Sequence, residues 1–163
     1  MNIYTQRFTL ASHILEFDYV KGILRCMPLE SGKVLWVKQL DDISDIGSVS
    51  ENYGNFFLSC MIDETSGKFI ALSKADGVTL WFIPGHEFLH VLHQESLFLI
   101  FIDNNGIYYF LKVDVKDGSP VWQRMIEPDL NEYRINENSI RLFYKSGKTE
   151  YIDRKTGEFY QDA

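Results

Sequence analysis

Asp114-Val115-Lys116-Asp117-Gly118-Ser119-Pro120-Val121-Trp122 decides the fold, because the chain repeats its frame. Gly118 precedes Trp122 by four residues, as Gly77 precedes Trp81 and Gly32 precedes Trp36. Successive glycines are 45 and 41 residues apart, and Gly157 follows 39 residues on, in Asp153-Arg154-Lys155-Thr156-Gly157. That fourth copy carries Gln161 where tryptophan is expected, beside Phe159 and Tyr160. Five residues before each glycine stands an apolar residue: Met27, Leu72, Val113 and Ile152. Just before each glycine stands a turn former: Ser31, Asp76, Asp117 or Thr156.

Working outward, polar turns recur at Glu51-Asn52, Gln94-Glu95-Ser96 and Asn136-Glu137-Asn138. Each leads into an apolar run, as in Phe56-Phe57-Leu58 or Leu97-Phe98-Leu99-Ile100-Phe101. Tyr4 to Leu10, a turn at Ala11-Ser12-His13, and Ile14 to Val20 fit the same template at the start. Short apolar runs between Gly, Asn, Asp and Ser turns, with no sustained 3.6-residue period, predict an all-β chain. The aromatic share of 15% favours pleated surfaces in the same direction. One unit reads as strand, turn, strand, turn, strand, glycine turn, strand. A period of about 40 residues with four strands is that of propeller blades. The expected fold is a propeller-like array of four four-stranded antiparallel blades in a single domain over residues 1–163, with approximate repeats 1–40, 41–84, 85–127 and 128–163. Each glycine serves a turn that needs positive φ. Each tryptophan is expected to pack across the gap to the next blade. Three arrangements satisfy this: a closed small ring, an open arc, or a half-ring completed by a second chain.

Asp-x-x-Thr-Gly-x-x-x-Trp resembles the docking motif of PQQ-like, quinoprotein-type β-propeller repeats. Residues 153–157 match its first half, and Asp114, Gly118 and Trp122 match with Asp117 in place of threonine. Residues 76–81 and 31–36 keep the glycine and tryptophan. The repeat is also loosely similar to that of an uncharacterised bacterial propeller-like family. The resemblance implies the blade fold. Quinoprotein dehydrogenases need far more chain and an adjacent cysteine pair, so quinone binding is not carried over and no cofactor is expected. Non-enzymatic relatives with this repeat serve as assembly scaffolds, which implies a protein partner and leaves room for a homodimer.

Composition narrows the function classes. A net charge of −7 with no basic run disfavours nucleic acid. The longest apolar run, Leu97 to Ile102, is too short to span a bilayer, and the opening residues lack a signal-peptide pattern. Two separated cysteines, Cys26 and Cys60, indicate neither a disulfide framework nor a thiolate metal site. A cytoplasmic protein is expected.

One chemical motif is present. His86-Glu87-Phe88-Leu89-His90, followed by His93, matches the H-E-x-x-H pattern of zinc proteases, whose two histidines must share one helical turn. The repeat places this segment on a strand. There the two histidines would stand about 13 Å apart at about 3.3 Å rise per residue, too far for one ion. No catalytic, cofactor or metal residue is therefore assigned. The expected role is a non-catalytic interaction module, its partner held by loops including Asp41, Asp42, Asp45, Pro128 and Asp129. An antagonist or immunity-type protein directed at a basic factor is the alternative, and a zinc hydrolase the minor one.

Overall fold

The computed structural model describes residues 4–85 and 87–160. It is all-β: sixteen strands form four antiparallel sheets, each a simple meander in chain order. The first blade holds β1 (Thr5–Thr9), β2 (His13–Asp18), β3 (Ile23–Pro28) and β4 (Trp36–Gln39). The second holds β5 (Asp45–Glu51), β6 (Asn55–Met61), β7 (Gly67–Ser73) and β8 (Thr79–Gly85). The third holds β9 (Glu87–His93), β10 (Ser96–Ile102), β11 (Tyr108–Val113) and β12 (Pro120–Ile126). The fourth holds β13 (Leu130–Ile135), β14 (Ser139–Tyr144), β15 (Thr149–Asp153) and β16 (Phe159–Tyr160).

The middle strands of the second and third blades bury both faces because each of those two sheets lies between two others. Phe56 and Leu58 join Leu15, Phe17 and Leu24 in one core between the first two blades. Phe57 and Phe69 point the other way, into a second core with Leu97, Leu99 and Leu111. Phe98 and Phe110 join Ile140, Leu142 and Ile152 in a third. Three cores join four sheets, so the array is open; the closed small ring is not formed. Among the first three blades, contacts between neighbouring sheets run through the first strands, β1 with β5 and β9 with β5, β6 and β7. These three blades therefore converge at their first strands and splay at their fourth.

Tryptophan holds each joint. Trp81 lies on the glycine turn of the third blade, where a Cβ on Gly118 would come within 2.5 Å of the indole. Gly118 also has φ 75°, a conformation that a side chain disfavours. Trp36 on Gly77 and Trp122 on Gly157 repeat the arrangement. Each indole N–H donates to the carbonyl three residues before its glycine: Trp36 to Lys74 at 2.8 Å, Trp81 to Val115 at 2.9 Å and Trp122 to Arg154 at 2.9 Å. The indole buries its rings and still satisfies its one donor.

In the fourth blade Tyr160 takes the ladder position of tryptophan; Gln161 lies outside the described residues. Trp36 pairs with Cys26 and Trp81 with Ala71 across the last ladder, and Tyr160 pairs likewise with Tyr151.

Candidate interaction surface

The joints between blades gather most of the buried polar chemistry. Between the first two blades, Glu51 accepts the backbone N–H of Ala11 and the hydroxyl of Ser12, each at 2.8 Å, and pairs with Lys74 at 2.6 Å. Burial would raise the Glu51 carboxyl, but the bonds from Lys74, Ser12 and Ala11 outweigh it and hold the carboxyl below its ordinary value. His13 Nδ1 lies 2.6 Å from the Ser12 hydroxyl. A Ser–His–acid relay needs the acid on the histidine, whereas Glu51 bonds the serine itself and two backbone N–H groups. The cluster is a clamp between hairpins, at the wall of an open cleft of about 680 Å³.

The same position supplies a cation in the fourth blade. Arg154 replaces Lys74 three residues before the glycine, is buried, and lies over the Phe98 ring. It donates to the His93 carbonyl and the Asn136 carbonyl, each at 2.8 Å, and meets His93 Nδ1 at 2.7 Å.

From Glu87 onward the H-E-x-x-H segment lies on β9, a strand rather than the helix its zinc geometry needs. His86 lies outside the described residues. His90 points at the second blade, where its ring nitrogens meet the hydroxyls of Ser59 at 2.7 Å and Ser50 at 2.8 Å. Its ring stands edge-on to Phe69 at 5.0 Å. Burial pushes its pKa down to about 4, so His90 is neutral at pH 7. His90 and His93 thus serve opposite joints. Among the described residues, no group of three or more His, Cys, Asp or Glu is placed to hold a metal ion. Cys26 and Cys60 are free and buried, and burial pushes their thiols up to about 11 and about 12.

Of the loop residues expected to meet a partner, Asp41 and Asp42 are exposed between β4 and β5, and Asp45 opens β5. Pro128 is exposed beside β13, but Asp129 is engaged, bonding the backbone of Ser146 and Lys145. These loops lie at the end of the array opposite the glycine turns.

A different surface stands out on the splayed fourth strands. Leu35 and Val37 flank Trp36, Leu80 and Phe82 flank Trp81, and Val121 and Met125 lie on β12, all exposed. Phe82 is 57% exposed and Met125 61%, high values for large apolar side chains. Phe159 and Tyr160 continue the series in the fourth blade. The signal was in the sequence: Leu35-Trp36-Val37 and Leu80-Trp81-Phe82 are apolar on both faces of an edge strand, which burial on one face does not require.

The sequence matches no protein-family model and no curated protein. Solved structures do match across the whole array. BamB from Moraxella catarrhalis aligns with TM-score 0.64 at 15% identity, over 91% of this chain and 48% of that one. A europium-containing methanol dehydrogenase aligns with TM-score 0.68 at 12% identity, over 94% and 40%. The chain has the PQQ-like β-propeller fold. It spans about half or less of the length of these natural propellers. The computationally designed Ika4 protein is nearer in size: TM-score 0.62 at 10% identity, over 90% of this chain and 88% of that one.

Proposed function

We propose that this propeller segment is a non-catalytic protein-interaction module that holds its partner on the fourth strands. One observation carries the reading: every blade repeats exposed apolar side chains on its outermost strand. Exposed apolar groups that recur along one face are costly in water unless covered, and such faces mark contact sites. The joints, by contrast, use their polar groups on one another, which leaves a rigid scaffold. The acidic net charge would speed encounter with a basic partner. That charge is also what favours the antagonist reading as a special case. The free, buried thiols are compatible with the reducing cytoplasm that belongs to this reading.

The test is affinity capture from native lysate with the wild-type chain and two double variants, Leu80→Lys/Phe82→Lys and Val121→Lys/Met125→Lys. The expected outcome is one set of proteins retained by the wild type and lost from at least one variant, while circular dichroism stays unchanged. No reproducible partner, or the same set retained by both variants, would overturn it.

A further inference from the structure

The two end faces of the array differ from its inner faces in a matched way. On the forward face of each blade, one cross-strand row runs from the first strand to the fourth. It reads Phe8–Leu15–Cys26–Trp36 in the first blade and Ser50–Phe57–Ala71–Trp81 in the second. In the fourth blade, where no further sheet follows, it reads Arg134–Arg141–Tyr151–Tyr160. The backward face of the second blade carries Val49–Leu58–Ile70–Phe82. In the first blade, which no sheet precedes, the equivalent row is Arg7–Glu16–Arg25–Val37.

An uncovered apolar face, expected from an open arc, is therefore not what the ends present. Each carries charge of both signs: Glu16 pairs with Arg7 at 3.0 Å on the first blade and Glu132 with Arg134 at 3.1 Å on the fourth, while Arg141 makes no ion pair among the described residues. The Arg141 guanidinium lies over the rings of Phe143 and Tyr151, at 4.8 and 5.0 Å, and its buried Nε has no hydrogen-bond partner among the described residues. Next along that face stands Glu132, which pairs across the ladder with Phe143. Stacked as the inner blades stack, first strand on first strand, the fourth blade of one chain would set Arg141 against Glu16 and Glu132 against Arg7 of another. The glycine socket agrees: among the described residues nothing lies within 4 Å of the place where a Cβ on Gly32 would stand, whereas Gly77, Gly118 and Gly157 are each filled by an indole. Tyr160, in the tryptophan column, is the ring that faces outward at the other end.

We infer that the forward face of the fourth blade is the docking site for the backward face of the first blade in a second copy of this chain, so that two chains close one ring. The contact is head-to-tail, so it closes when each chain spans half a turn; the same contact then occurs twice about a two-fold axis. Buried charges tolerate no mismatch in such a contact, because a like-charge pair costs far more than a matched pair gains.

The experiment is mass by light scattering on three preparations of the whole chain: wild type, Glu16→Arg and Arg141→Glu. The wild type is expected at twice the 19.0 kDa of one chain. Each variant alone would set like charges at both contacts and is expected at the mass of one chain. Mixed in equal amounts, the two variants are expected to recover the doubled mass, because one contact then holds the native pair and the other its reverse. Native tryptophan emission in each variant checks that it is folded. A variant that fails this check is replaced by its milder form, Glu16→Gln or Arg141→Gln, expected to weaken the doubled species at least tenfold. A wild-type chain of single mass, a doubled mass unaffected by either substitution, or variants that do not recover on mixing would overturn the inference. Leu80→Lys/Phe82→Lys leaves these end faces untouched, so the ring and the partner surface fail separately.

Discussion

At the residue scale, glycine and tryptophan act as a pair whose members lie in different blades. Gly118 is held to hydrogen by two independent demands, a positive φ and the face of Trp81. Gly106 meets only the first, with φ 79° and open space around it. Gly106→Ala should cost about 1–2 kcal/mol for the left-handed conformation. Gly118→Ala adds overpacking and should cost roughly 2–5 kcal/mol. Urea unfolding of the two variants measures the difference, and equal losses would show that the indole yields. The glycine and tryptophan columns were legible because both constraints act on residue type. Arg154 was not legible, since its partners His93 and Asn136 lie 61 and 18 residues away and no local pattern links them.

The element scale is clearest in β9, whose sequence carries an enzyme's motif and whose place in the sheet gives it another task. Strand alternation sends His90 towards the second blade, among Ser48, Ser50 and Ser59. Its pKa falls from an ordinary 6.5 to about 4 on folding. The unfolded chain therefore binds the proton more readily, and stability falls as the solution is acidified. The contribution is whole above pH 6.5, declines from there towards pH 4, and levels off below, a loss of about 3 kcal/mol at about 1.4 kcal/mol per unit. Thermal melts at pH 7.0 and 4.5 should show a smaller difference for His90→Asn than for the wild type. An unchanged difference would assign the acid sensitivity to other groups. Glu51, whose lowered carboxyl also loses stability in acid, does not confuse the comparison, because it is the same in both chains and cancels in the difference.

Over the whole molecule, stability is passed from blade to blade, since each core joins only two adjacent sheets. Trp122→Ala removes the indole from the third core and its bond to the Arg154 carbonyl. In a chain that also carries Glu16→Arg, so that no second copy props the last blade, amide exchange in β14 and β15 should quicken by at least tenfold. Exchange in β2 and β3 should change far less. Equal acceleration in all four blades would mean that the array unfolds as one unit.

The sequence by itself determined the four sheets, their order and the tryptophan joints, because turn chemistry, strand alternation and the period are local or repeat in register. Only the tertiary structure decided that the ring stays open within one chain, that Tyr160 takes the ladder position of tryptophan in the last blade, and which apolar residues remain in water. Those outcomes depend on how far wedge-shaped sheets converge at their first strands and on what stands opposite each face. No stretch of a single strand encodes either.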